Sequence, residues 1–291
     1  MNRHPANTPM APACLPTQLP LSRRKLLQRA GTASAAWLGL GGVAGSAWAT
    51  EDHTGGDPLG SMQWPVLRKK FTQGQPVIFS DAVLVQGPPY AEDAMNVPIS
   101  VDARPLLRQG LKIERMLVVA DRNPVQQILS FQPEQTLPVL AFRFRLEQGS
   151  PVRALVLASD GRWHVGQTWV NAAGGGCTVP GATRADGSWS QTLNQVQARF
   201  FRNVLEGSGS RLRLRVMHPM DTGLVAGIPA FYIEEMELRD STDRLLWRLE
   251  LHEPVSENPL ITFEMGDLPR GLLRLQGRDN NGNRIAHEVQ A

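Results

Sequence analysis

From about residue 64 onward, apolar and polar side chains alternate in short runs separated by turn residues. Such a period of two places one face of a strand in a core and the other in water. Residues 77–79, 97–101 and 113–120 read as strands. Phe142, Phe144 and Leu146 alternate with Arg143 and Arg145, one row expected buried and the other wet. Residues 152–158 and 163–170 flank Asp160-Gly161, a hairpin turn in which Gly tolerates positive φ. This block ends at Ala172-Ala173-Gly174-Gly175-Gly176-Cys177. A second block begins near Arg211, where Leu212, Leu214 and Val216 alternate with Arg211, Arg213 and Arg215. Trp247, Leu249 and Leu251, then Ile261, Phe263 and Met265, repeat the pattern, and Leu273 and Leu275 precede the turn Asn280-Asn281-Gly282.

Between the blocks the period changes. Leu193, Val196, Phe200, Phe201, Val204 and Leu205 fall on one helical stripe. Ser188 with Gln191 forms a candidate capping box, Gly207 a C-terminal cap, and residues 207–210 a flexible joint. The expected fold is therefore all-β: two immunoglobulin-like β-sandwich domains, residues 50–181 and 209–291, joined by a helical linker over 182–208.

The N-terminus follows other rules. Ser22-Arg23-Arg24-Lys25 opens a basic region, residues 30–49 carry no charge, and Ala47-Trp48-Ala49 supplies a small-x-small cleavage pattern. Residues 1–49 are expected to be a cleaved signal of twin-arginine type. The apolar stretch is long enough for a membrane span, but its Gly, Ala and Ser content makes it a marginal one, so no membrane attachment is expected after cleavage. The signal holds five of the 30 basic residues and none of the 27 acidic ones, so its removal turns a net charge of +3 into about −2. A nucleic-acid partner, which requires a basic surface, is not expected. The 42% hydrophobic content suits a globular chain.

Processing also changes the cysteine arithmetic. Of two cysteines, Cys14 leaves with the signal and Cys177 remains without an intramolecular partner. His53, His164, His218, His252 and His287 are scattered, with no His-x-His or His-Glu-x-x-His spacing. There is no Gly-x-Ser-x-Gly elbow, no Gly-x-Gly-x-x-Gly loop and no haem-attachment motif. No catalytic constellation, metal site or cofactor is expected, and the chain reads as a non-enzyme. Gly174, Gly175 and Gly176 give the backbone before Cys177 wide conformational freedom, so the thiol is expected to sit on a mobile, accessible arm. A thiolate can form a reversible link by attacking an electrophilic sulfur and later leaving.

The second block resembles the Z subunit of the Sox sulfur-carrier pair through His218-Pro219-Met220-Asp221-Thr222-Gly223, Pro229-Ala230-Phe231-Tyr232-Ile233, Val255-Ser256-Glu257-Asn258-Pro259 and Asp279-Asn280-Asn281-Gly282. The first block resembles the Y subunit through Asn96-Val97-Pro98-Ile99-Ser100-Val101, Asp121-Arg122-Asn123-Pro124 and Gly175-Gly176-Cys177. The chain thus resembles a fused SoxYZ-like carrier, of a subfamily associated with quinoprotein dehydrogenases. The resemblance implies that Cys177 holds sulfur intermediates while periplasmic sulfur-oxidation enzymes or c-type cytochromes act on them, and that the Y and Z domains pair within the chain. The alternative is a noncovalent accessory of a quinoprotein dehydrogenase. The family motif Gly-Gly-Cys-Gly-Gly closes its chain. Here Thr178-Val179-Pro180 follow, so the arm is tethered at both ends. His218 and Asp221 are kept as possible neighbours of the thiol.

Overall fold

The computed structural model describes residues 53–202, 209–267 and 269–290. The expected signal, with Arg23, Arg24 and Cys14, lies outside the described residues, as do Val204, Leu205, Gly207 and Ser208.

The first block opens with helix α1 (Trp64–Thr72), then strands β1 (Val77–Phe79), β2 (Leu84–Gln86), β3 (Tyr90–Ala91) and β4 (Val97–Asp102) and helix α2 (Arg104–Arg108). It continues with β5 (Ile113–Ala120), β6 (Gln127–Gln132), β7 (Val139–Phe144), β8 (Ser150–Ala158) and β9 (Trp163–Ala172). Two short helices follow, α3 (Ala182–Asp186) and α4 (Trp189–Thr192), then β10 (Val196–Arg202). The remaining strands are β11 (Ser210–Val216), β12 (Ile233–Arg239), β13 (Leu245–Leu251), β14 (Leu260–Gly266), β15 (Leu272–Asp279) and β16 (Arg284–Gln290).

These strands form two sheets. One runs β1-β9-β8-β5-β6-β13-β12-β15-β16, with β3 also on β9; the other runs β10-β11-β14-β7-β4-β2. The all-β, immunoglobulin-like expectation holds. Both sheets cross from one block to the other: β6 pairs antiparallel with β13, from Gln132–Arg248 to Leu129–Leu251, and β14 pairs with β7 at Thr262–Ala141 and Phe263–Leu140. One apolar core lies between the sheets. At its centre Trp247 stacks on Phe263 at 4.4 Å, and Phe131 of the first block meets the same Phe263 at 5.6 Å. The turns at Asp160-Gly161 and Asn281-Gly282 form with their glycines at φ 72° and 83°.

Two local expectations fail. Residues 64–72 are helical because Trp64, Leu67 and Phe71 share one face, which covers the outer side of β5, β8 and β9 against Val119, Leu155, Trp163 and Val165. The expected linker helix is largely a strand: Val196–Arg202 pairs residue for residue with β11, from Val196–Val216 to Arg202–Ser210. Val196, Ala198 and Phe200 face the core in alternation, a pattern that fits the same apolar run as well as the helical stripe does. The open edge of β11 decides between them, helped by the β-branched and aromatic side chains. Helix within the expected linker is confined, among the described residues, to α3 and the four residues of α4, and Ser188 caps nothing with its side chain.

Candidate functional site

Five segments meet around Cys177: the turn at residues 93–96, the end of β7, the glycine run after β9, the loop at 218–223 and the loop at 254–258. The arrangement begins with the β5–β6 turn. The Asn123 side-chain amide donates to the carbonyl of Arg145 at 2.8 Å, and its oxygen accepts from the Glu147 N–H at 2.9 Å. Leu146 N–H donates to Ala94 O at 2.8 Å, and Arg145 N–H to Pro254 O at 2.6 Å. Clamped in this way, the chain leaves strand alternation at Phe144. Arg145, expected on the wet face beside Arg143, instead turns inward and is only 1% exposed.

That inward turn builds the seat for the cysteine. Glu147 Oε2 accepts the Cys177 N–H at 2.9 Å, and Glu147 Oε1 accepts the Thr178 hydroxyl at 3.2 Å. The Thr222 hydroxyl donates to Cys177 O at 2.7 Å, which ties the second block to the cysteine itself. Arg145 Nη1 donates to Gly176 O at 3.4 Å and Val179 O at 3.3 Å, while its Nε is buried without a partner.

The expected accessibility of the thiol is corrected by this geometry. Cys177 is buried, 1% exposed, with Sγ 3.7 Å from the carbonyl of Arg145. Gly174 and Gly175 adopt φ of 103° and 78°, conformations that other residues rarely take, and Gly175 N–H donates to Glu147 O at 3.0 Å. Gly176 is required for space: a Cβ there would overlap the carbonyl of Ala94 and stand 2.6 Å from that of Leu146. The glycines thus let the chain pack against backbone. Burial pushes the thiol pKa up to about 12, Glu147 adds to the rise, and Arg145 opposes it. For Arg145 itself, burial outweighs the nearby carboxylates, led by Glu257, and holds its pKa below the usual guanidinium value.

The loop carrying His218 and Asp221 surrounds this seat, and the residue that touches the cysteine is Thr222. Asp221 pairs with Arg184 of α3, whose guanidinium lies 4.2 Å over Trp189. His218 is wholly enclosed. Its Nδ1 accepts the Met220 N–H at 3.1 Å, so the neutral ring carries its proton on Nε2, 3.5 Å from Asp279. Burial lowers its pKa to about 4 against the opposing pull of Asp279 and Asp221, with Arg184 adding to the depression. Glu257 Oε2 accepts from the N–H and hydroxyl of Thr183 at 3.2 and 3.1 Å. Among the described residues no group of three His, Cys, Asp or Glu side chains is placed to hold a metal ion, and no helix is long and apolar enough to cross a membrane.

An all-β protein whose single described cysteine is enclosed by loops from two sequence blocks is the class that fold and site define. Comparison with protein families resolves it: residues 68–177 match Sulfur oxidation protein SoxY, and residues 199–290 match Sulphur oxidation protein SoxZ. The chain carries a SoxY and a SoxZ domain in one polypeptide and is a fused SoxYZ-like protein. These families indicate a carrier role in sulfur oxidation, alongside the enzymes that act on sulfur. No curated protein matches the chain. Among solved structures, the sulfur carrier protein SoxY from Chlorobium limicola f thiosulfatophilum is similar at 16% identity and TM-score 0.32, covering 38% of this chain and 96% of that one. A putative superoxide reductase from Thermotoga maritima is similar at 12% identity and TM-score 0.28, covering 35% and 89%.

Sequence reasoning marked Cys177, its glycines and the turn containing Asn123, but missed Arg145, Glu147 and Thr222 as a group. Glu147 carried no pattern of its own. Arg145 was hidden inside a good alternation.

Proposed function

We propose that this is a periplasmic carrier, exported by the twin-arginine route, that holds a sulfur-containing intermediate covalently on Cys177 and has no catalytic centre of its own. The observation that carries the reading is the bond from the Thr222 hydroxyl to Cys177 O, which ties a motif of the second block to the cysteine, while Asn123 of the first block holds Arg145 and Glu147 beside it. In loading, the Cys177 thiolate attacks one sulfur of an S–S bond in the cargo. A new S–S bond forms, the other sulfur fragment leaves with the bonding electrons, and the thiol proton passes to solvent. Burial pushes the thiol pKa up to about 12, so the enclosed thiol stays protonated at neutral pH. Loading therefore belongs to a conformer in which the loop has released Glu147 and Thr222. The Y and Z domains act as one unit, a reading supported by the pairing of β6 with β13. Cleavage between residues 207 and 210 is expected to leave the halves together on a sizing column.

The burial of Cys177 favours a second reading, a noncovalent accessory of a periplasmic quinoprotein dehydrogenase in which Cys177 is dispensable. Cys177→Ser separates the two. The carrier reading expects loss of growth dependent on the protein, with the folded protein still present; full complementation supports the accessory reading. For export, replacing Arg23 and Arg24 by lysine is expected to leave unprocessed protein in the cytoplasm, and normal processing contradicts the route.

A further inference from the structure

The outer face of the six-stranded sheet carries a row of arginines that the cysteine site does not use. Arg143 on β7, Arg199 on β10, and Arg213 and Arg215 on β11 are all exposed. They line an open groove of about 820 Å³ whose apolar floor includes Phe201 and Leu260. In the β10–β11 register Arg199 stands directly opposite Arg213. Like charges facing each other across an antiparallel pair are destabilising, so this pair of strands bears a local cost. Among the described residues none of the four guanidinium groups is paired with a carboxylate, whereas Arg211 on the same face is paired with Glu264 at 2.6 Å.

We infer that this groove is a docking surface for the acidic face of a partner protein. The arginines are spread from β10 to β7, three strand spacings or about 14 Å, and do not converge on one point as a cradle for a small oxyanion would. All four are exposed, which suits the salt-sensitive, steering kind of charge contact. The groove also ends where a visiting enzyme would need to be. Glu257 and Asn258 line that end, and Glu257 holds Thr183 in the segment that leads away from Cys177. That the partner is an enzyme acting on Cys177 rests on the carrier reading above; the charge of its docking face does not.

The test uses the full chain and a fluorescent poly-L-glutamate peptide of about 20 residues, with binding followed by anisotropy at low ionic strength. Replacing Arg199, Arg213 and Arg215 by Gln together is expected to weaken binding about tenfold, from three exposed charge contacts. Replacing Arg274 and Arg278 by Gln, both of which already have carboxylate partners on the other sheet, is expected to change little. Cys177→Ser is expected to bind as the parent does, so loss of the carrier reading leaves this result standing. Arg199→Gln alone keeps the inference testable if the triple variant folds poorly: it should raise the melting temperature by removing the facing charges while weakening the peptide. Unchanged binding in the arginine variants overturns the inference, as does equal loss in the Arg274/Arg278 control. Displacement of the peptide by thiosulfate or sulfate at micromolar concentration would instead make the groove a small-anion site, and tighter binding of duplex DNA than of the peptide would make it a nucleic-acid surface; both contradict an acidic protein partner.

Discussion

The first block buries two arginines, and they are held in opposite ways. Arg153 on β8 is fully enclosed between two carboxylates. Its Nη1 and Nη2 meet Asp57 at 2.6 and 2.8 Å, its Nε and Nη2 meet Asp121 at 2.9 and 2.8 Å, and its guanidinium lies 4.5 Å over Trp64. Burial lowers its pKa, but the two aspartates outweigh that and raise it. Arg145, equally enclosed, has backbone carbonyls for partners and an orphaned Nε. A buried charge that is fully paired serves as a clamp; here it fastens residues 57–64 to the sheet. A buried charge left incompletely satisfied is expensive and calls for another explanation. Arg145 lies within the cysteine loop, where its charge opposes the rise in the thiol pKa. The difference separates a fully paired buried charge from one whose Nε is left without a partner.

The comparison is broken most directly at the two arginines. Arg153→Met leaves two buried carboxylates facing each other and is expected to cost about 3–5 kcal/mol in urea unfolding. Arg145→Met removes a charge without a direct carboxylate partner and should cost less than about 1 kcal/mol. Equal losses would show that the two sites are the same kind of structure. Acid should separate the regions next. The folded state depresses the pKa of His218 to about 4 from 6.5, so its contribution is complete above pH 6.5 and is lost as pH falls toward 4. The loss is on the order of 3 kcal/mol. Burial pushes Asp57 up, but hydrogen bonds from Arg153 and Ser61 hold it below 3.8, so its contribution survives until pH falls beneath that value. Stability measured from pH 7 to 4 should therefore decline, and His218→Gln should flatten the curve. A curve flat in the parent protein contradicts the assignment.

Gly176→Ala comes next, at about 1–3 kcal/mol, because its Cβ has no room against the Ala94 and Leu146 carbonyls. It should also speed alkylation of Cys177 by lifting the loop; destabilisation with no change in thiol reactivity would mean that the loop yields elsewhere. A smaller effect than that of Gly176→Ala is expected from Thr222→Val, about 1 kcal/mol for one hydrogen bond, again with faster alkylation. Cys177→Ser belongs in the same range. A buried hydroxyl in place of the thiol should cost about 1–2 kcal/mol, which growth assays must allow for by checking protein level.

Much of this fold can be read from alternation alone, because β5, β7, β8, β9, β11, β13 and β14 bury strongly apolar rows. The failures have physical causes. Val196, Ala198 and Phe200 make a strand face as readily as Val196 and Phe200 join a helical stripe, and the edge of β11 chooses. Arg145 alternates correctly with Phe144 and Leu146, yet the hydrogen bond from the Asn123 amide and the one that Arg145 N–H donates to the Pro254 carbonyl rotate the backbone after the strand ends. The glycines before Cys177 look like freedom in sequence. In three dimensions they are what allows the backbone to lie against Ala94 and Leu146, and a glycine cannot announce which of these it serves. The family motifs could be located one by one, but their convergence required the sheets that run through both domains.

The central claim is that Cys177 carries the cargo although the folded loop encloses it. Its most direct test is the intact mass of the processed protein isolated, without reductant, from cells oxidising reduced sulfur. The account predicts a population heavier than the bare chain by a sulfur-containing group, released by reductant and missing from Cys177→Ser. Bare-chain mass alone, or an adduct that persists in Cys177→Ser, would contradict it.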